Sequence, residues 1–121
     1  MGLTNPKKIF HLAIKEDWLA ALSSGQYSMS TRGKTLEEVG FIHCSNKEQL
    51  PEVAAFVYED FTGELLLLEL DLETLEQANL KVLFEDGGNG QLYPHIYNPL
   101  PVELVSSTKP AIMNNGQLRV L

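Results

Sequence analysis

Three histidines stand in apolar, strand-forming company: His11 in Ile9-Phe10-His11-Leu12-Ala13, His43 in Gly40-Phe41-Ile42-His43-Cys44-Ser45, and His95 in Tyr93-Pro94-His95-Ile96-Tyr97. Imidazole is the side chain best suited to acid–base work near neutral pH, and it also serves as a hydrogen-bonding or metal-binding group. Side chains alternate across a strand, so Phe41, His43 and Ser45 share one face while Ile42 and Cys44 share the other. Tyr93, His95 and Tyr97 alternate in the same way, which sets two aromatic rings beside an imidazole. His43 and Ser45 could thus present hydrogen-bonding groups to a cleft at a strand end. The plainer alternative is a satisfied core histidine followed by a serine that caps a helix. The separations between the histidines match no local metal-ligand spacing, so a three-histidine metal site would need convergence in space, and no metal ligand is assigned. Cys44 should point away from His43, which argues against a Cys–His nucleophilic pair and for a small buried apolar residue. Glu69, Asp71, Glu85 and Asp86 fall at strand ends, and none shows a paired partner for general acid–base catalysis.

The surrounding pattern supplies the elements that would hold these groups. Lys8 to Ala13 reads as a first strand. A helix follows over Lys15 to Ser24, with Glu16 and Asp17 in its first turn, Trp18, Ala21 and Leu22 on one side, and Gly25 as its stop. Gln26 to Lys34 is polar and is expected to be mostly loop, and Thr35-Leu36-Glu37-Glu38 has capping-box spacing for one helical turn. Phe41 to Ser45 is the next strand. Ser45-Asn46-Lys47-Glu48 is a second capping-box match, followed by a helix that carries Pro51 in its first turn and Leu50, Val53, Ala54, Val57 and Phe61 as its buried stripe. The unbroken leucines of Glu64 to Leu70 predict a central strand buried on both faces. Asp71 to Asn79 reads as a turn or short helix, Leu80 to Phe84 as a strand, and Asp86 to Gly90 as a flexible connection with no phosphate-loop pattern. Pro94 removes an amide donor, so Gln91 to Pro101 is expected at a sheet edge or rim. Val102 to Val105 is read as a further strand, and Asn115-Gly116 as the hairpin turn between Ala111-Ile112-Met113 and Gln117 to Leu121.

Composition bounds the rest. A chain of 121 residues is read as a single domain, 1–121, able to bury roughly two-thirds of its extended surface. One cysteine permits no intrachain disulfide and fits a reducing, cytoplasmic setting. No signal pattern opens the chain, and its longest aliphatic run, Leu65 to Leu68, is too short to span a bilayer. Sixteen acidic against nine basic residues give a formal charge of −7, which disfavours nucleic acid and anionic membranes as partners. The basic residues are scattered, with Lys7-Lys8 the only adjacent pair. A small-molecule ligand in a local pocket is compatible with this field, and the oligomeric state is left open.

Taken together, Ile9 to Ala13 with Asp17-Trp18, Gly40 to Ser45 with Gln49-Leu50-Pro51, and Leu92 to Tyr97 with Pro99-Leu100-Pro101 resemble the domain-of-unknown-function family 952 over nearly the whole chain, in the same order. These are small bacterial proteins without an established activity. The family is grouped with the ADP-ribosyltransferase fold, so the resemblance implies an α+β protein with split, curved β-sheets and two main helices packed alongside. In that fold three separated strand motifs grip NAD in a cleft. By that likeness His11 falls in the first motif, which holds the ribose, His43 and Ser45 near the second, and His95 in the third, where Tyr93 and Tyr97 could stack on a ring. His43 and His95 would then be the catalytic residues, with His11, Ser45, Tyr93 and Tyr97 binding NAD or a nucleotide-like small molecule. Many transferases of that fold place a glutamate in the third motif. Here Gln91 is nearest, and a neutral amide does not supply the same field. A transferase or hydrolase acting on NAD or a phosphorylated ribose, a non-catalytic nucleotide-binding module, and a three-histidine metal protein all remain open from the residues.

Overall fold

A computed structural model describes residues 7–121. In chain order its elements are β1 (Lys8–Ile14), α1 (Lys15–Ser24), β2 (Gln26–Tyr27), β3 (Met29–Thr31), β4 (Lys34–Thr35), α2 (Leu36–Val39), β5 (Ile42–His43) and α3 (Leu50–Tyr58). They continue as β6 (Leu65–Asp71), α4 (Leu72–Gln77), β7 (Val82–Asp86), β8 (Leu92–Ile96), β9 (Leu100–Pro101), a 3-10 turn (Val102–Leu104), β10 (Val105–Asn114) and β11 (Gln117–Val120). The class is α+β, with antiparallel pairing throughout the described strands.

The leucine run does what its composition predicts. β6 is paired on one side by β1 and on the other by β10, within a sheet ordered β1-β6-β10-β11. Alternation then divides its side chains between two apolar clusters. Leu68 and Leu70 pack with Ile9, Trp18, Ile42 and Ile96, whereas Leu65 and Leu67 pack with Phe10, Leu12, Leu50, Ala54 and Tyr58. The sheet is therefore sandwiched, with α3 covering one face and α1 and the smaller sheets the other.

Helix α1 keeps the expected bounds, and Gly25 ends it at φ 90°, a left-handed conformation open to glycine at little cost. Trp18 and Ala21 are buried, but Leu22, expected beside them, is largely exposed. α2 carries the expected capping box between Thr35 and Glu38. In α3, Pro51 lies in the first turn and Leu50, Ala54 and Tyr58 form the buried stripe, with Val57 and Phe61 packed at its margin. Asn115 and Gly116 both have positive φ, as a two-residue hairpin turn requires.

Several expectations are corrected. The Gln26–Lys34 stretch is not mostly loop: Tyr27 pairs with Leu100, and Met29 with Thr35, so that strands of two or three residues are fixed by their partners rather than by local propensity. Val102–Leu104 is a 3-10 turn, and the strand after it runs unbroken from Val105 to Asn114 with a register shift between Val105 and Ser107. β8, expected at an edge, is the middle strand of a sheet ordered β5-β8-β7. Pro94 is tolerated there because its carbonyl accepts from Cys44 N–H at 3.0 Å, so its donor-less nitrogen faces the same side, just past the end of two-residue β5. Only one ladder bond is forgone. No helix among the described residues is long and apolar enough to cross a membrane.

Candidate functional site

The Phe41–Ser45 segment changes partners part-way along. Ile42 and His43 pair with Ile96 and His95 of β8, after which Ser45 exchanges both backbone hydrogen bonds with Phe10 of β1, at 2.8 and 2.9 Å. This seam joins the small sheet to the large one. It brings all three histidine-bearing segments together and explains why His43 lies directly across from His95, with ring centroids 5.4 Å apart.

A cavity of about 640 Å³ opens along the seam. That size falls within the range of small-molecule sites. His11, His43, Ser45, Tyr93 and His95 line it, whereas Tyr97 stands outside the lining. Phe10, Leu12, Leu50, Val53, Phe56 and Val57 make its apolar wall. Several hydrogen bonds hold the walls apart at fixed spacing. Tyr58 donates its hydroxyl to the Leu12 carbonyl at 3.2 Å, fastening α3 to β1, and the Gln49 amide donates to the Leu92 carbonyl at 3.0 Å, fastening the start of α3 to β8. Arg32, in the turn after β3, donates to the Val57 carbonyl at 3.1 Å and to Asp60 at 2.6 Å, fastening that turn to the end of α3.

The reciprocal box before α3 is not the Ser45–Glu48 pair expected from spacing, and it closes the turn that leads into the helix. Asn46 and Gln49 make the reciprocal bonds instead: Gln49 N–H donates to Asn46 Oδ1 at 2.8 Å, and Asn46 N–H to Gln49 Oε1 at 3.0 Å. Asparagine is as good a cap as serine, and glutamine three residues on completes the box. The Ser45 side chain is thereby released from capping and lies buried against the cavity.

The three imidazoles differ in kind. His11 is buried, with Nδ1 2.5 Å from the His43 carbonyl and Nε2 2.8 Å from the Tyr27 hydroxyl. A carbonyl only accepts, so Nδ1 carries the proton and Nε2 accepts from Tyr27. Both ring nitrogens are thus satisfied within the protein. Burial, with His43 nearby, lowers the His11 pKa to about 4, even though the bond to the His43 carbonyl opposes the shift. His43 is exposed at the cavity, and its pKa is also lowered, first by partial desolvation and then by His95.

His95 is buried and has a carboxylate partner that strand-end position alone did not reveal. Its Nδ1 lies 2.8 Å from Glu85 Oε1, and the Tyr97 hydroxyl donates to the same oxygen. β7 supplies this group: Glu85 pairs with Tyr93, which places it diagonally beside His95 on one face of the sheet. The bond from Tyr97, then that from His95, holds the Glu85 pKa below the usual carboxylate range, while Glu85 raises that of Tyr97. An ionised carboxylate accepts from Nδ1–H and so leaves Nε2 as the ring's lone-pair nitrogen. Glu85 is outside the cavity lining and His95 within it, so the opposite edge of the ring is turned to the cavity. Phe41 stacks on His95 at 3.9 Å between centroids and 18° between planes, which fixes the ring further. A hairpin drawn across Asp86–Gly90 was the available signal for Glu85, since pairing Asp86 with Leu92 sets Glu85 beside the Tyr93-His95 face.

Cys44 is buried in the apolar core, where it also contributes to the cavity lining, and burial raises its thiol pKa. Among the described residues no three histidine, cysteine or acidic side chains converge to hold a metal ion, and His11 has both nitrogens engaged elsewhere.

Tyr93 is held by the loop before it. Asn89 donates to its hydroxyl at 2.8 Å, and a Cβ on Gly87 would stand 2.4 Å from its Cε1. Gly87→Ala is expected to displace the Tyr93 ring and break the Asn89 bond while changing stability by less than about 1 kcal/mol, because the loop is exposed. Ring resonances of Tyr93 together with a denaturant midpoint check both parts.

A model for proteins of unknown function, DUF952, matches residues 12–108. No curated protein matches the chain. Among solved structures, the crystal structure of protein CC0527 from Caulobacter crescentus is similar with a TM-score of 0.79 and 27% identity, covering 93% of each chain. A solution structure of CC0527 is similar at a TM-score of 0.73 and 27% identity, covering 92% of this chain and 90% of that one.

Proposed function

The chain belongs to DUF952, a family of proteins of unknown function, and we propose that its histidine-lined cleft binds a nucleotide-like small molecule and works on it by acid–base chemistry. The observation that carries this is the Glu85–His95 pair at the edge of a cavity of about 640 Å³ whose walls come from all three histidine-bearing segments. The order of those segments along the chain supports an ADP-ribosyltransferase-like arrangement, with NAD or a related ribosyl compound as the substrate class.

The residues divide the work by environment. His11, neutral and bonded on both sides, positions the His43 backbone. His95, oriented by Glu85 and Phe41, presents Nε2 as a base. In hydrolysis at a ribosyl carbon, water forms the new C–O bond, the C–N bond breaks with its electron pair leaving on the base, and the water proton passes to His95 Nε2. Tyr93 and the apolar wall take the planar part of the ligand. Among the lining residues no lysine or arginine is available for a pyrophosphate, so the cleft suits the nucleoside portion of NAD better than its phosphates.

Calorimetric titration of NAD, ADP-ribose and nicotinamide riboside into wild type and His43→Ala tests the binding. Saturable binding weakened about tenfold or more in the variant is expected, since His43 forms the exposed wall. Equal binding by both proteins, or none by either, contradicts the proposal. Nicotinamide release above the buffer rate is the expected sign of catalysis.

A further inference from the structure

The charged side chains at this cavity are arranged with one sign. Glu52, in the first turn of α3, and Asp86, at the end of β7, both line it, one from the helix and the other from the hairpin. Asp86 is held by its own loop, accepting from Gly88 N–H at 2.7 Å and Gly90 N–H at 3.3 Å, so its carboxylate stays at the rim. Glu85 adds a third carboxylate behind His95. Apolar and aromatic groups share the lining with these charges, Val53 and Phe56 from the helix and Tyr93 from the hairpin, and Phe56 is 90% exposed.

Resting on the ligand class proposed above, we infer that the cleft favours a neutral or cationic nucleoside over its phosphorylated form. A phosphate brought between Glu52 and Asp86 meets two negative charges, and low-dielectric walls focus that repulsion. No nearby group offsets this repulsion. His11 is neutral and spent on Tyr27 and the His43 carbonyl, and burial beside His95 keeps His43 from holding a proton as readily as a free histidine. The chain's formal charge of −7 adds to the same field. A cationic heterocycle such as a pyridinium nucleoside gains from both the carboxylates and the exposed Phe56 face.

Calorimetry at low ionic strength compares nicotinamide riboside, nicotinamide mononucleotide, adenosine and adenosine 5′-monophosphate on one protein preparation. Each nucleoside is expected to bind about tenfold or more tightly than its phosphorylated counterpart, a gap that narrows in 0.5 M salt, roughly where the Debye length is only a few ångström. Glu52→Gln with Asp86→Asn should narrow it too, because both negative charges are removed while asparagine keeps the Oδ1 that accepts from Gly88 and Gly90. A circular-dichroism melt matching wild type shows that the double variant is folded. Tighter binding of the phosphorylated partner, or a gap unchanged by both salt and substitution, overturns the inference while leaving the cleft as a nucleotide-like site. Binding of none of the four overturns both.

Discussion

Between pH 6.5 and pH 4 the protein is expected to lose about 3 kcal/mol of stability through His11 alone. The buried imidazole has its pKa lowered to about 4, against 6.5 for a free histidine. In that interval the unfolded chain binds a proton that the folded chain refuses, so acid favours unfolding, and each pKa unit of difference is worth about 1.4 kcal/mol. The loss begins as pH falls below 6.5 and levels off below 4, where the folded state also takes up the proton. His43, lowered by the same burial, adds in the same direction. Glu38, Asp60 and Glu85, whose pKa values are held below their ordinary ones, act lower still, so the upper interval belongs to histidine. Urea denaturation across this range, on wild type and His11→Asn, reads the effect. The variant should be weaker at pH 7 but flatter with pH, and equal slopes would mean that His11 titrates normally.

The largest effect on chemistry is expected at the Glu85–His95 pair. His95→Ala removes the proposed base and should lower turnover of a ribosyl substrate by about 10²–10⁴, the usual range for general-base catalysis. Glu85→Gln is the more informative change. A carboxylate can only accept from Nδ1–H, whereas a glutamine amide can also donate, which permits the tautomer with the proton on Nε2. Turnover should fall with the fold intact, and the ring nitrogen shifts of His95 should report the change of tautomer. Loss of the Tyr97 bond in Tyr97→Phe removes a second donor to Glu85 without altering the tautomer, so a smaller loss is expected there.

What could be read from the residues follows from how local each feature is. The strand at Lys8, the helices α1 and α3, the buried leucines of β6 and the Asn115-Gly116 turn are written in periodicity and turn chemistry, which need few neighbours. β2, β3 and β4 are too short to have a period, and they exist because Leu100 and one another complete them. The alternation of His43 and His95 with apolar residues was legible, but their pairing was not, since register between distant strands is a tertiary fact. Glu85 reads in the sequence only as a strand-end acid, because its partner lies across a hairpin. Spacing placed the second capping box at Ser45, and competition from Asn46 and Gln49 moved it by one residue. Pro94 suggested an edge, and the brevity of β5 made a central position affordable.

Histidine ring NMR during titration with nicotinamide riboside tests the cleft most directly. The imidazole resonances of His43 and His95 are expected to move together and saturate at one affinity, while those of His11, bonded to Tyr27 and the His43 carbonyl, move little. Saturable binding that leaves His43 and His95 unmoved, or no change at any ring up to millimolar ligand, would contradict the proposed site.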